Sequence, residues 1–239
     1  MIKAIMMDVG KTVVTNRIID FKKALKAVYD LDDSEEKIDF ERYLTLNNEL
    51  RKISFDYARK MASEVRIDDF LEVLNNVAGI NTGLDKKELE WFFQCHLIEE
   101  ELIDGVKEFL EYIKSKNIPV IAVSNSCMSS DAIGREFSEF GIRSYFKEII
   151  SSADIFIRKP RKEIFEYAFG KLLKLNPTIK KDEVLFIGDN YLFDVVGSFN
   201  CGLVPVWFNQ AREEATDNAF SFINVGSYKE LIDIIKALW

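Results

Sequence analysis

Three short apolar runs, Ile2–Met7, Pro119–Val123 and Val184–Ile187, each lead into a polar segment with reactive side chains. The segments are Asp8-Val9-Gly10-Lys11-Thr12, Ser124-Asn125 and Gly188-Asp189-Asn190-Tyr191-Leu192-Phe193-Asp194. Apolar runs of this length, bounded by turn residues, read as strands buried on both faces. Helical periodicity fills the intervals after residue 100. Helices are expected over 105–116, near 130–140, over 161–175 and over 194–200, and further strands near 148–151 and over 203–207. A chain that alternates in this way must build a parallel sheet with right-handed crossovers and helices on both faces. A last short apolar run over 220–225 precedes a terminal helix over 228–238.

Between about Ile18 and Ile98 the pattern is helical throughout. Phe21, Leu25 and Val28 share a face, as do Phe70, Leu71, Leu74 and Val77. Asp33 with Glu36 reads as a helix start before Ile38, and Asp85 with Glu88 as another. No strand signal interrupts the stretch, so it reads as a compact insertion of four or five helices. Glu99-Glu100-Glu101 then reads as a solvated linker back to the sheet. The expected fold class is α/β, a doubly wound parallel-sheet (Rossmann-like) core carrying an α-helical insertion.

In doubly wound sheets, ligands sit beyond the carboxyl ends of the strands, near the point where strand order reverses. Asp8, Ser124 and Asp189 all follow their strands, so one pocket can collect them. A fourth segment, Arg158-Lys159-Pro160, brings a cation to the same edge just before a helix. An aspartate can attack phosphorus and form an aspartyl-phosphate. That attack needs the charge between two anions neutralised, which magnesium held by a few carboxylates does. Asp8, Asp189 and Asp194 are the candidate carboxylates. Ser124 and Asn125 are candidate hydrogen-bond donors to the phosphate, and Lys159 can neutralise the transferring group.

Composition narrows the alternatives. The 239 residues carry a formal net charge of −8, which argues against a nucleic-acid partner. No apolar stretch reaches the roughly 18 residues of a membrane span, and Met1–Val9 reads as a strand rather than a signal peptide. The three cysteines form no CxxC pair, so a reduced, cytoplasmic setting is expected. Gly10-Lys11-Thr12 resembles the end of a P-loop, but Ile5 stands where that motif needs a glycine. His96 is the sole histidine, which excludes multi-histidine metal sites; its aromatic neighbours indicate packing. Cys127 has no histidine near it in sequence and reads as structural.

Taken together, the four segments resemble the haloacid dehalogenase (HAD) superfamily of hydrolases, most of whose members are phosphatases. Gly188-Asp189 with Asp194 and Gly197 is similar to the fourth motif of that family, and Lys159-Pro160 with Glu163-Ile164-Phe165 to the third. Val120–Asn125 is similar to the second. The resemblance implies a core formed by 1–16 and 101–239 and a helical cap formed by 17–100. It implies Asp8 as nucleophile with Lys159, and magnesium held by Asp8, the carbonyl of Gly10, Asp189 and Asp194. Thr12 joins Ser124, Asn125 and Lys159 as phosphate-binding candidates, and the implied partner is a small phosphorylated metabolite. A monomer or homodimer is expected.

The first motif departs from the family pattern. Phosphatases of the family have Asp two residues after the nucleophile, as general acid and base; here that place is Gly10, followed by Lys11. Two alternatives therefore stand beside the phosphatase. One is a dehalogenating or phosphonate-cleaving hydrolase, the latter needing a Schiff-base lysine among Lys22, Lys23, Lys26, Lys52 and Lys60. The other is a phosphate- and magnesium-binding regulatory module with little turnover.

Overall fold

In the computed structural model, which describes residues 2–34, 37–215 and 220–237, the apolar runs form six parallel strands. They are β1 (Ala4–Met7), β4 (Val120–Ser124), β5 (Phe146–Ser151), β6 (Val184–Gly188), β7 (Val204–Phe208) and β8 (Ile223–Val225). Their order is β5-β4-β1-β6-β7-β8, so the chain leaves β1 in one direction and returns to its other side. β1 thus stands at the reversal, between β4 and β6.

Strand alternation sorts β1 into two cores. Ile5 and Met7 face a cluster with Phe109, Ile113, Phe137 and Leu231, while Ala4 and Met6 face Ile164, Phe165, Ala168 and Leu172. The first face is covered by α6 (Val106–Ser115), α7 (Ser130–Glu139) and α11 (Tyr228–Ala237), the second by α9 (Lys162–Leu175). Helices on both faces explain why every residue of β1 is buried and why its sequence does not alternate. Short helices α8 (Ser152–Ile155) and α10 (Gly197–Asn200) fill turns. The expected helix over 194–200 begins instead as a π-helical turn, Tyr191–Val196, whose Asn190 side chain accepts from the Phe193 N–H.

The segment between β1 and β4 differs from expectation at its ends. β2 (Val14–Ile19) and β3 (Ile98–Leu102) pair antiparallel and form a two-stranded ribbon. Glu99-Glu100-Glu101 is therefore strand rather than solvated linker. Ile98, Glu100 and Leu102 fall on one face at period two, a signal that three successive acidic residues obscure. The ribbon carries α1 (Phe21–Tyr29), α2 (Phe40–Ile53), α3 (Phe55–Lys60), α4 (Ile67–Ala78) and α5 (Lys86–Leu97). Helix α2 starts from Asp39, which accepts from the Arg42 N–H, and not from Asp33; Glu36 lies outside the described residues. Asp85 does cap α5, through the Glu88 N–H. Leu238, the expected end of the terminal helix, also lies outside them.

These helices are tied to the loops at the strand ends. Glu64 is paired with Arg158, Arg66 Nη1 lies 3.1 Å from Asp154, and Glu90 takes both the Ser129 N–H and hydroxyl at 2.6 Å. At the other end of the chain, the buried Tyr228 hydroxyl donates to the Thr12 carbonyl at 2.6 Å, fastening α11 to the loop after β1. Tyr228→Phe should leave that buried carbonyl without its donor and lower stability by about 1–3 kcal/mol in urea unfolding. An unchanged midpoint and slope would show that the bond contributes nothing.

Candidate active site

Asp8, Ser124 and Asp189 come from the ends of three adjacent strands, β1, β4 and β6, and open on one cavity of about 390 Å³. The Asp8 N–H donates to the Ile187 carbonyl at 2.8 Å, which anchors the residue to β6 as it leaves the sheet. Lys159 reaches in from the loop before α9. Its Nζ donates to Asp8 Oδ1 at 2.5 Å and to Asp194 Oδ1 at 2.7 Å, and the side chain is 2% exposed. The second Asp194 oxygen accepts from the Asn190 N–H at 3.0 Å. One carboxylate oxygen each from Asp8, Asp189 and Asp194 lie within 4.8 Å of one another.

The electrostatics follow from that crowding. Burial by itself lowers the pKa of the Lys159 ammonium, but the carboxylates of Asp194 and Asp8 outweigh it and hold the ammonium charged. Burial pushes the Asp194 carboxyl up, and Asp8 adds to the shift against the pull of Lys159. Asp189 is pushed up to about 6 by burial and then by the Asp8 charge. Three carboxylates share one ammonium here, and the excess negative charge suits a cation. The donor set fits magnesium, which takes carboxylate oxygens at about 2.0–2.1 Å.

Two of the expected phosphate ligands have other partners. Thr12 is fully buried, and its hydroxyl donates to Asp8 Oδ2 at 3.3 Å. It braces Asp8 from behind and has no exposed surface to offer a phosphate. The Asn125 side chain grips the backbone of Lys159: Nδ2 donates to the Lys159 carbonyl at 2.9 Å and Oδ1 accepts its N–H at 2.7 Å. Asn125 is therefore a clamp between the loops after β4 and before α9. Both Asn125 and Ser124 line the cavity, Ser124 with 6% exposure.

Glycine is required at 188. A Cβ there would lie 2.4 Å from the Asp194 carboxyl, so the strand end must stay bare for Asp194 to reach Lys159. Gly10 is different: a Cβ there meets nothing within 4 Å, and its φ is not left-handed. Lys11 has φ +56°, a conformation that costs a residue with a side chain about 1–2 kcal/mol. His96 packs on Phe92, its Nδ1 2.8 Å from the Phe92 carbonyl, and is not in the cavity wall. Burial drives the Cys127 thiol up to about 12, which suits a structural role. Residues 94, 100 and 136 line the cavity without having been marked by the sequence. Gln94 and Glu136 were hidden in helices, and Glu100 in an acidic run.

The raised Asp189 carboxyl sets a pH dependence. Folded, it keeps a proton that the unfolded chain releases near its ordinary value of 3.8, so stability falls as pH rises from about 4 to about 6. An amide has no such proton. In chelator, Asp189→Asn should gain stability relative to the parent across that interval, as read by urea unfolding. A difference that does not change with pH would show that the carboxyl is not perturbed.

A sequence model of the family described as haloacid dehalogenase-like hydrolase matches residues 29–207 of this chain. The chain is 32% identical over 95 residues to the pyrimidine 5'-nucleotidase YjjG of Escherichia coli K12, a match spanning 40% of each protein. It is 23% identical over 230 residues to YfnB of Bacillus subtilis 168, covering 93% of both. The magnesium-bound crystal structure of YfnB superposes with a TM-score of 0.58, covering 98% of each chain at 21% identity. The 2-haloacid dehalogenase of Pseudomonas syringae pv. Tomato DC3000 superposes with a TM-score of 0.66 over 100% of both chains, at 16% identity. The strand order, the helical insertion after β1 and the extent of the sequence match place this chain in the haloacid dehalogenase-like hydrolase family.

Proposed function

We propose that this hydrolase cleaves a small phosphomonoester, with Asp8 as nucleophile and magnesium as cofactor. The observation that carries the reading is the gathering of Asp8, Asp189 and Asp194 within 4.8 Å around a single buried ammonium. When bound, the cation supplies the charge neutralisation that lets an anionic carboxylate approach an anionic phosphate. One oxygen of Asp8 attacks phosphorus, the bond from phosphorus to the ester oxygen breaks, and the alcohol leaves. Water then releases phosphate from the Asp8 acyl phosphate. Lys159 holds Asp8 in place and offsets negative charge on the transferring group, and the Ser124 hydroxyl donates to it. The carbonyl of Gly10 completes the candidate metal ligands. Helices α1–α5 serve as the cap, from residue 17 to residue 100, that keeps bulk water from the acyl phosphate. A cytoplasmic setting and a monomer or homodimer accompany this reading. No helix among the described residues is long and apolar enough to cross a membrane.

The alternatives have less support. None of Lys22, Lys23, Lys26, Lys52 and Lys60 lines the cavity, so no cap lysine is placed to form a Schiff base. Displacement of a halide needs no cation, and a haloacid would bring a further carboxylate toward three others. A regulatory module with little turnover would not need Lys159 locked against the nucleophile.

Asp8→Asn should abolish magnesium-dependent hydrolysis of 4-nitrophenyl phosphate while leaving the unfolding transition in place, because an amide cannot form the acyl phosphate. Undiminished turnover in protein free of contaminating phosphatase would mean that another group attacks. Magnesium titration by calorimetry should be weakened more in Asp189→Asn than in Asp194→Asn, since both Asp194 oxygens already have donors. Equal and full binding in both variants would reject the metal site.

Position 10 determines how the leaving oxygen is protonated. Without an acid there, rates of the chemical step should fall steeply as leaving-group pKa rises from aryl to alkyl esters. The open space around Gly10 admits an aspartate, so Gly10→Asp should raise alkyl-ester turnover by up to about 10²–10⁴-fold. A flat dependence in the parent enzyme would show that a proton donor is already present.

A further inference from the structure

The cavity wall draws on two chemically different sets of residues. Asp8, Ser124, Lys159 and Asp189 form the candidate phosphoryl site. The junction of α5 and β3 adds Gln94 and Glu100 with the apolar Leu97 and Ile98. Gln94 is 5% exposed, yet its side-chain oxygen has no hydrogen-bond partner among the described residues. Buried amides are nearly always bonded, so an orphaned acceptor on a residue of the cavity wall calls for a donor from a ligand or a water. Glu100 points to the same conclusion independently. Burial alone raises its carboxyl to about 7, with no cation near enough to offset the shift.

The charges of the wall bear on what can bind beside that junction. Of the lining cations, Lys159 is bound to Asp8 and Asp194 and Arg158 to Glu64, while Lys11 is exposed on the loop after β1, where its charge acts on Asp189. A second carboxylate, Glu136, also lines the cavity and is 8% exposed. A leaving group with its own carboxylate or second phosphate would meet the carboxylates of Glu100 and Glu136, and the lining cation outside an ion pair, Lys11, stands near Asp189 on the phosphoryl side. A leaving group with hydroxyl or amino groups would meet acceptors.

We infer that Gln94 and Glu100 form a leaving-group subsite that selects phosphate esters whose alcohol carries neutral or cationic hydrogen-bond donors, and rejects phosphorylated carboxylic acids. The inference rests on the phosphomonoesterase reading above and specifies its substrate class. Amino sugar, sugar and nucleoside phosphates fall inside the class; phosphoglycolate and 3-phosphoglycerate fall outside it.

The test compares kcat/KM for glucosamine 6-phosphate, ribose 5-phosphate, phosphoglycolate and 3-phosphoglycerate, with 4-nitrophenyl phosphate as the reference ester, all with magnesium. The parent enzyme should prefer the two sugar esters over the two acids by at least about tenfold. Glu100→Gln should lower the ratio of glucosamine 6-phosphate to reference turnover by about 10- to 100-fold, the size of a lost charged hydrogen bond. Gln94→Leu should lower the ratio for both sugar esters in the same direction, and Glu100→Lys should shift preference toward phosphoglycolate. Acids turned over as well as sugars, or ratios unchanged in variants that fold, would overturn the subsite while leaving the phosphatase standing. Absence of magnesium-dependent turnover of the reference ester would instead remove the phosphatase reading, and the subsite with it.

Discussion

The buried ammonium of Lys159, placed between Asp8 and Asp194, is the interaction on which the site's geometry depends. Taking such charges out of water costs several kcal/mol per ion, and only close, well-bonded geometry offsets it. That requirement propagates outward. Asn125 clamps both backbone polar groups of Lys159, Gly188 leaves room for Asp194, and Asn190 supplies an N–H to its outer oxygen. Residues at the ends of β1, β4 and β6 and before α9 are drawn to one point by these bonds. Thr12 and Tyr228 then hold the loop after β1 from behind, linking Asp8 to α11.

The same loops carry the helical segment. Arg158, next to Lys159 in sequence, is paired with Glu64 from the segment between α3 and α4, and Asp154 with Arg66. Lys159 and the groups that hold the helices over the sheet are thus neighbours on one loop. A movement of the helices relative to the sheet would first strain that loop. The β2–β3 ribbon, with its register irregularity between residues 16 and 18, is the other connection.

Position 10 is where the site departs from its family pattern, and the backbone does not demand it. Glycine is usually retained where a side chain would collide or where φ is positive, and neither holds at Gly10. The adjacent Lys11 does occupy the left-handed region, the more natural place for a glycine. Packing and backbone conformation therefore leave room for an acid at position 10.

Much of the fold was legible in the chain because apolar strand runs and amphipathic helices carry their own periodicity. Asp8, Ser124 and Asp189 were legible because each stands at or just past the end of a strand, and Lys159 and Asp194 because each lies at a fixed short distance from such an element. The sequence could not say that Thr12 turns away from the cavity toward Asp8, or that the Asn125 side chain, in the cavity wall, is bonded to the Lys159 backbone, because a hydroxyl or amide has several possible partners and only packing selects one. It misassigned Glu100, since three successive acids look solvated until β2 pairs with them and one face is covered. The sequence alone determined the order of the sheet strands and the helices between them, without the β2–β3 ribbon, and the identity of the reactive groups. The tertiary structure decided which groups touch, how the charges offset one another and which side chains line the cavity, because those depend on distances between segments far apart in the chain.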